Sequence, residues 1–517
     1  MNYPSIFNDV LGPVMRGPSS SHSAASVRIG LLARDLMEGD IAEAVFTFDP
    51  DGSLAATYHS QGADMGLYGG LLGLEPADEG LLTAGQTLRD NGCRVTFKIE
   101  AFPAPHPNTY KIELKNDRES QRMVAISTGG GMIEILEIDG FTLNLKGDYF
   151  ESLIWTKPGQ AQVILEMLNG ALSQADQVIT RDKNDRALIQ IKADRFPNDG
   201  VWSAVAAHPS VIKARRLRPV LPVLSRRDLA VPFVGPDEML QACSGQTRFW
   251  ELAVQYESQR GGVSENEVME KMRDLLVLMR KSLAGGLKGT SHQDRMLGPQ
   301  SLKYGTLMAE GKLLEGKLLN RMLWYTAALM EVKSSLGVFV AAPTAGSCAA
   351  LPAACLAMGD HYGHDDDLLV KALLSAGLVG VFIASGSTFA AEVCGCQAEC
   401  GSASGLVAAA LLTLMDADVA THLNGVSLTL QNILGLTCDP VAERVEVPCL
   451  GKNIMAVSNA WSGANLALAG FDPVVPLGEV IAAMDEVGRS LPSSLRCTGR
   501  GGLSITPTAL KIGRQLS

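Results

Sequence analysis

The first 140 residues contain short apolar runs of two different periods. Runs with alternating or β-branched apolar residues lie at 44–48, 94–99 and 110–114, and such runs are typical of strands. From 24 to 37, apolar side chains instead recur at helical spacing, and the preceding serines are able to cap the first turn. Strands mixed with a helix predict an α+β domain over residues 1–140.

A second pattern covers residues 141–218. Strand-like runs at 141–145, 176–181, 187–191 and 217–220 accompany a helical stretch at 160–172. This order predicts a ferredoxin-like βαββαβ unit of roughly 80 residues. With the turn Lys157-Pro158-Gly159 before its helix, the segment resembles an ACT domain, a small amino-acid-sensing module. The resemblance implies a bound regulatory amino acid, and the alternative is a structural unit without a ligand.

From residue 219 to 517 the pattern is helical almost throughout. Apolar residues recur at helical spacing in 263–283, 304–336 and 368–383, which predicts a large all-α domain. The uncharged stretches 377–391 and 405–415 are shorter than the roughly 20 residues that span a bilayer. We therefore expect both to be buried core helices.

Composition limits the possible partners and compartment. A chain of 517 residues exceeds a single hydrophobic core, so a multidomain protein is expected. Its net charge of −11 disfavours nucleic acid and anionic membrane surfaces. The first residues lack the cationic and apolar regions of a secretory signal. We therefore expect a cytoplasmic protein whose ten cysteines stay reduced.

The late cysteines are candidates for metal binding. Cys396 lies between two glycines, Cys438 precedes Asp-Pro, and Cys449 follows a proline, so turns are expected there. None belongs to a zinc-type CxxC pair, and a free cysteine is more often simply a small buried apolar residue. Three thiolates on turns would leave one iron of a [4Fe–4S] cluster without a protein ligand, as a Lewis acid. The cysteines expected to be structural are Cys348, Cys355, Cys394 and Cys400.

Seven segments resemble the iron–sulfur L-serine dehydratases. They are GPSSSHSAA at 17–25, HPNT at 106–109, SxGGG at 127–131, APTAGSCAALPA at 342–353, EVCGCQAECG at 392–401, LGLTCDPV at 434–441 and VPC at 447–449. Their order and span imply a beta-type and an alpha-type region fused around the ACT-like unit. The resemblance further implies that Cys396, Cys438 and Cys449 hold a [4Fe–4S] cluster.

The reaction that this resemblance implies is dehydration of L-serine to aminoacrylate, which yields pyruvate and ammonia. A Lewis-acidic iron would bind the substrate carboxylate and β-hydroxyl, and hydroxyls and amides at a helix start suit the same carboxylate. The expected substrate-binding residues are Ser19, Ser20, Ser21, Thr344, Gly346 and Ser347. His22 is the expected general acid or base. Lys288, near His292, is a second catalytic candidate, for which a structural role is equally compatible with the sequence.

Three positions depart from the family's pattern. Gln61 stands where many relatives have histidine, Ala345 where some have asparagine, and Cys497 where they have glutamate. These changes leave L-threonine or L-cysteine open as substrates, and also a non-catalytic amino-acid sensor. A pyridoxal phosphate enzyme would need a Schiff-base lysine, and no lysine-centred phosphate motif is evident. We expect a homodimer, because ACT-like units commonly associate side by side.

Overall fold

The computed structural model describes residues 3–172, 175–183, 185–243 and 247–516. These residues form a six-stranded sheet with its helices, a separate four-stranded sheet, and a large helical region. The expectation of several domains with a helical C-terminal region is confirmed.

The N-terminal part is built around the six-stranded sheet. Its elements are β1 (Val14–Met15), α1 (Ala25–Leu36), β2 (Glu43–Phe48), α2 (Leu54–Thr57), α3 (Ala63–Leu72), α4 (Ala84–Asp90), β3 (Arg94–Ile99), β4 (Thr109–Lys115), β5 (Ser120–Gly129), β6 (Met132–Ile138) and β7 (Phe141–Leu145). The sheet has the order β3-β2-β4-β5-β6-β7, and only β2 and β3 are parallel. Helices α1 and α3 touch closely, since a Cβ on Gly70 would lie 2.3 Å from the Val27 carbonyl oxygen.

The middle part is a four-stranded antiparallel sheet with its own small core. Its elements are β8 (Phe150–Thr156), α5 (Ala161–Met167), α6 (Asn169–Leu172), β9 (Ala175–Asp182), β10 (Ala187–Ala193), α7 (Asp199–Ala206) and β11 (Val211–Leu217). The strand order is β11-β8-β10-β9. The helices of this part lie between β8 and β9 and between β10 and β11.

The first strand expected in this middle part belongs to the N-terminal sheet instead. Residues 141–145 do form a strand, but it pairs with β6 and buries Phe141, Leu143 and Leu145 in the core of the six-stranded sheet. Asp139 and Gly140 both have positive φ, at 50° and 81°, and make the tight hairpin turn between β6 and β7. The boundary expected at 140/141 is therefore wrong by one strand, and the four-stranded unit begins at β8.

The C-terminal region is helical apart from one short strand. Its elements are α8 (Pro236–Ala242), α9 (Phe249–Gly261), α10 (Glu265–Leu287), α11 (Ser301–Ala309), α12 (Lys317–Ser334), β12 (Phe339–Val340), α13 (Ala350–Tyr362), α14 (Asp366–Gly386), α15 (Ala391–Cys394), α16 (Cys400–Leu414), α17 (Val419–Gln431), α18 (Cys449–Leu468), α19 (Leu477–Ser490) and α20 (Pro507–Leu516). Among the described residues, α14 alone is long and apolar enough to cross a membrane. Most of α14 is buried by other parts of the chain, as expected of a core helix.

The N-terminal residues are part of the helical core, which the division at residue 140 did not anticipate. The helical turn Ile6–Val10 packs on α14, where a Cβ on Gly380 would lie 2.1 Å from Val10 Cγ1. Strand β1 then pairs with β12. The chain therefore ties the N-terminal and C-terminal parts together before it enters the six-stranded sheet.

Glu257 on α9 anchors this N-terminal segment. Its carboxylate accepts hydrogen bonds from Ser5 Oγ at 2.5 Å and from the Ile6 amide at 2.7 Å. Burial raises the pKa of Glu257 from the ordinary 4.5 to about 7, although both hydrogen bonds oppose the rise. The folded protein therefore holds this proton more tightly than the unfolded chain does. The stability it contributes is complete below about pH 4.5 and is lost as the pH rises through about 7.

The variant Glu257→Gln should lower thermal stability, because its amide cannot accept both hydrogen bonds as the carboxyl group does. The expected cost is about 1–3 kcal/mol, and it should be larger at about pH 5 than at about pH 8. Melting temperatures of variant and wild type at the two pH values measure this difference. A destabilisation that grew with pH would contradict the raised pKa.

Candidate functional site

Five cysteine side chains meet in the interior, close to where the N-terminal and helical parts join. Four of them form one buried cluster with Ala391, and Cys449 lies within electrostatic reach of two of these. All five are buried and none is in a disulfide. They are Cys396, Cys400, Cys438, Cys449 and Cys497.

Different local structures deliver the three cysteines singled out from the sequence. Cys396 opens a short 3-10 turn after Gly395, whose φ of 70° is one that glycine readily adopts. Cys438 lies on an extended segment that is hydrogen-bonded to residues 495–497. Cys449 is the first residue of α18, and not a turn residue as expected. A helix start favours a thiolate at that position, but burial outweighs this and raises the pKa of the Cys449 thiol.

The chemistry of these five cysteine side chains fits an iron–sulfur group. Within the described parts of the chain, no three His, Cys, Asp or Glu side chains form a ready group for a metal ion. Iron–sulfur clusters are held by cysteine thiolates, and here free buried thiols from four separate segments converge. We therefore take the thiols as the residues that fit such a cluster.

One cation compensates the charge that thiolates would bring. Lys452 forms an ion pair with Asp439 at 3.0 Å. Its pKa is raised because the nearby Cys396, Cys438 and Asp439 together outweigh its burial. A hydrogen bond from Cys400 lowers the pKa of Cys396 to about 7, with a smaller contribution from Lys452. Cys396 is thus favoured as a thiolate, whereas thiol–thiol hydrogen bonds and burial raise the pKa of Cys400 and Cys438.

The serine-rich segment forms a helical turn, Ser20–Ala24, that leads directly into α1. His22 lies fully buried within it, with Nδ1 3.0 Å from Ser19 Oγ and Nε2 2.8 Å from Thr57 Oγ1. Thr57 donates its only hydroxyl hydrogen to the Ser53 carbonyl at 2.6 Å, so His22 Nε2 must be the donor to Thr57. The lone pair of His22 is therefore on Nδ1. Burial lowers the pKa of His22, against the opposing charge of Glu392, and this favours the neutral ring.

Glu392 is a site residue that the sequence reasoning missed. Its Oε1 accepts a hydrogen bond from Ser21 Oγ at 3.0 Å and lies 3.8 Å from His22 Nδ1. The residue is only 4% exposed, and its Oε2 is buried without a hydrogen-bond partner. A buried carboxylate with an open oxygen is costly unless a ligand or a proton satisfies it. The sequence signal for it was its place as the first residue of the segment EVCGCQAECG, four residues before Cys396.

The loop before α13 meets the serine segment. The Ala345 amide donates to Ser20 Oγ at 3.2 Å, and Thr344 Oγ1 donates to Glu399 Oε1 at 2.7 Å. Burial, with nearby Cys396 and Glu392, raises the pKa of Glu399 to about 8. A Cβ on Gly346 would lie 2.9 Å from Glu399 Oε1, so this glycine permits the close approach. The structure thus joins the two segments expected to hold the substrate.

Gly346 and Ser347 differ in their surroundings. The Gly346 carbonyl accepts a hydrogen bond from Asn453 Nδ2 at 2.7 Å, which links the loop to α18 and to the cysteines. Ser347 is fully buried, and its hydroxyl donates to the Ala342 carbonyl at 3.2 Å within its own loop. The hydroxyl of Ser347 is thereby partnered inside the protein.

The HPNT and glycine-rich segments border the same region. Both polar side-chain atoms of Asn108, and the hydroxyl of Ser127, are buried without hydrogen-bond partners. The two residues are joined through their backbones at 3.1 Å. The charge of Glu392 also acts on His106 and Tyr110. Unpaired buried polar atoms next to a buried carboxylate are what a small polar ligand would satisfy.

Lys288 lies apart from these groups. It caps the C-terminal end of α10 with an exposed side chain, and among the described contacts none joins it to His22 or to the cysteines. His292, four residues after Lys288 in the sequence, lines a separate cavity of about 540 Å³ with His59, Asp294 and Lys333. Lys333 is fully buried and acts electrostatically on Cys449, so it links this cavity to the cysteine site.

Comparison with known proteins gives one consistent result. A family model described as serine dehydratase alpha chain matches residues 244–504. The probable L-serine dehydratase alpha chain of Bacillus subtilis is 35% identical over 49% of this chain and 84% of its own length. The L-serine dehydratase alpha chain of Peptoniphilus asaccharolyticus is 35% identical over 54% of this chain and 96% of its own length. A probable beta chain of Bacillus subtilis is 34% identical over 42% of this chain and 99% of its own length.

Proposed function

The chain belongs to the L-serine dehydratase family, and on this premise we propose that it eliminates water from L-serine at an iron–sulfur cluster. It is an enzyme, an L-serine ammonia-lyase that releases pyruvate and ammonia. Because it is similar to separate alpha and beta chains, we propose that it combines both in one polypeptide. The observation that carries the site assignment is the convergence of buried thiols around Ala391, next to Glu392, whose carboxylate lies 3.8 Å from His22.

We propose Cys396, Cys438 and Cys449 as the ligands of a [4Fe–4S] cluster. When bound, such a cluster supplies a Lewis acid for the substrate carboxylate and β-hydroxyl. The chain's contribution is to bury the thiols, to hold Cys449 at the start of α18, and to balance their charge with Lys452. Burial also keeps bulk water away from the reacting groups.

The substrate is held between the two polar segments. Ser19, Ser20, Ser21, Thr344, Gly346 and Ser347 are the proposed binding residues. Ser20, in its helical turn, faces the loop of Thr344, so its hydroxyl would donate to the carboxylate of L-serine. Thr344 would border the same place while its own hydroxyl donates to Glu399. The free Oε2 of Glu392 is suited to the α-ammonium group, because a buried carboxylate attracts a cation strongly. Ser347 serves this arrangement through its loop, since its hydroxyl is partnered internally.

His22 is the proposed proton carrier. Its Nδ1 takes the α-proton, while the pair of electrons from the Cα–H bond forms the Cα=Cβ bond and the β-hydroxyl departs. The imidazolium then returns the proton to the departing hydroxide, which leaves as water. Glu392, 3.8 Å from Nδ1, stabilises the charged ring between these steps. Aminoacrylate becomes the imine and is hydrolysed to pyruvate and ammonia. A catalytic role for Lys288 stays a prediction.

We propose that residues 149–218 are an ACT-like regulatory unit. The helices between β8 and β9 and between β10 and β11, together with the strand order β11-β8-β10-β9, support a ferredoxin-like βαββαβ fold. A groove of about 930 Å³ beside it contains Lys213, whose ammonium lies 4.1 Å from the centre of the Trp155 ring. We further propose that this unit binds a regulatory amino acid. The protein would form a homodimer and be located in the cytoplasm.

Anaerobic purification tests the function directly. We expect a brown protein with broad visible absorption, bound iron and sulfide, and pyruvate release from L-serine that declines in air. Rates on L-threonine and L-cysteine should be lower, because one added methyl group or a sulfur changes the fit of the transition state. A colourless protein that still deaminates L-serine after failed anaerobic iron reconstitution would contradict the cluster. Serine binding without pyruvate would identify a sensor instead.

A further inference from the structure

Lys333, near the end of α12, is a buried cation without a carboxylate partner. Its side chain is fully buried, although lysine is rarely buried unless it is paired. The ammonium donates to the Val445 carbonyl, and among the residues that the structure describes no carboxylate forms an ion pair with it. Burying a charge without a counter-charge is costly, so negative charge of another kind is expected close to this ammonium.

The acidic residues nearest to Lys333 and Val445 in the sequence are engaged elsewhere. Glu331, on the same helix, accepts hydrogen bonds from the Ser301 amide at 2.8 Å and from the Ser301 hydroxyl at 2.6 Å. Glu446 accepts hydrogen bonds from two backbone amides of residues 296–297, both at 3.0 Å. The two carboxylates therefore fix the backbone of another segment and form no ion pair with Lys333.

The charge of Lys333 acts on cysteine thiols instead. Burial raises the pKa of the Cys449 and Cys348 thiols, and the charge of Lys333 opposes the rise at both. Cys449 is one of the proposed cluster ligands, and Val445, which accepts the hydrogen bond of Lys333, lies four residues before it. The same ammonium thus holds the segment that leads into α18 and favours the thiolate at the start of that helix.

Lys333 differs from Lys452, a second cation near the thiols. Lys452 is paired with Asp439 at 3.0 Å, so much of its charge is already balanced within the protein. Lys333 has a backbone carbonyl as its partner, and a carbonyl carries no counter-charge. The two lysines also come from different elements, α12 and α18. The positive charge of Lys333 is therefore the one that a bound thiolate would balance.

We infer that Lys333 is a positioning residue for the proposed cluster, which it serves by tethering the segment before Cys449 and by balancing the charge of the bound thiolate. This inference rests on the proposed function, because it needs the cluster. Reduction of a cluster adds negative charge, which a buried cation nearby favours. Lys333 should therefore raise the reduction potential of the cluster as well as help to retain it.

Three variants, each reconstituted anaerobically with iron and sulfide, separate the charge from the tether. Lys333→Met keeps the length of the side chain but has neither charge nor donor, and Lys333→Gln keeps an N–H donor without the charge. Lys333→Arg keeps both, and the adjoining cavity of about 540 Å³ gives its larger head group space. The measurements are a redox titration followed by EPR spectroscopy and the rate of iron loss to a chelator.

Loss of the charge in Lys333→Met and Lys333→Gln should lower the reduction potential by about 59 mV, which is a tenfold change in a one-electron equilibrium. Iron loss should be fastest in Lys333→Met, because this variant also lacks the hydrogen bond to Val445. Lys333→Arg should behave as wild type.

Lys317→Met is the matched control. Lys317 opens the same helix with an exposed side chain, and it lies about 24 Å from Lys333 at the ordinary rise of a helix. Its replacement removes a charge of the same sign from the same element, but far from the tethered segment. The potential and the rate of iron loss should therefore stay at their wild-type values.

The outcomes separate the two proposals. A wild-type protein that takes up no iron overturns the proposed function and this inference with it. A wild-type protein that holds a cluster, together with unchanged potentials in Lys333→Met and Lys333→Gln, overturns the role of Lys333 alone, as would an equal shift in Lys317→Met. If Lys333→Met does not fold, the comparison of Lys333→Gln with Lys333→Arg decides the question, because those two variants differ in charge.

Discussion

The variant Cys449→Ala should lose most of its iron and nearly all L-serine dehydratase activity. Cys449 opens α18, so its removal takes away a thiolate at the helix start and leaves the cluster without one of its three proposed anchors. Lewis-acid stabilisation of a developing anion is worth several kcal/mol, so turnover should fall by about 10³ or more. Iron and sulfide content, visible absorption and pyruvate release are the measurements.

Cys355→Ala is the matched control for this loss. Cys355 is also fully buried, but it lies in the middle of α13 within the apolar core. Its replacement should leave iron content unchanged and turnover within about twofold, because the shorter side chain costs only about 1 kcal/mol of folding free energy. Equal iron loss in both variants would indicate general destabilisation, and full iron content in Cys449→Ala would remove that residue from the ligand set.

The helical region, and the breaks in regular structure beside the cysteines, could be predicted from the sequence for a physical reason. Long segments with apolar residues at helical spacing must bury one face or more, and α14 is accordingly surrounded by its neighbours. Glycine and proline next to Cys396, Cys438 and Cys449 predicted breaks in regular structure. At Cys449 the break is real, but the cysteine lies on the helical side of it.

The domain boundary was misjudged because local signals do not state which sheet a strand joins. The run 141–145 reads as a strand in either sheet, and only the Asp139-Gly140 turn ties it to β6. The insertion of Ile6–Val10 beside α14 depends on Gly377, which meets Ile6, and on Gly380, which meets Val10, both far away in the chain. Pairings of that range have no local signature.

Only part of the candidate site could be predicted from the sequence, for the same reason. His22 and the serines stood out as a polar run before a helix. Asn108 and Glu392 lie in segments that resemble the family, HPNT and EVCGCQAECG, but nothing local gave either residue a role. These residues draw attention only in the structure, because they are buried and some of their polar atoms have no hydrogen-bond partner, such as Glu392 Oε2. Gln61 and Cys497 were noticed as separate departures, and the structure makes them a contacting pair.

Replacement of His22 by glutamine should reduce turnover while the cluster stays in place. General acid–base catalysis contributes about 10²–10⁴-fold, so kcat should fall by that factor with iron content and absorption unchanged. Glutamine keeps a donor and an acceptor for the Thr57 and Ser19 hydroxyls. The control His361→Gln, at an exposed position near the end of α13, should retain wild-type turnover. Loss of iron in His22→Gln would mean that the residue supports the cluster instead.

The partner of His22 can be tested through the pH profile. Burial lowers the pKa of His22 and the charge of Glu392 opposes this, so in wild type the acid limb of kcat/KM should lie below the ordinary value of 6.5. Glu392→Gln removes the charge that favours the imidazolium, so the limb should move to still lower pH. The KM for L-serine should rise as well, because the α-ammonium loses its carboxylate. An acid limb that stayed in place in Glu392→Gln, or moved to higher pH, would show that the titrating group is not His22 beside Glu392.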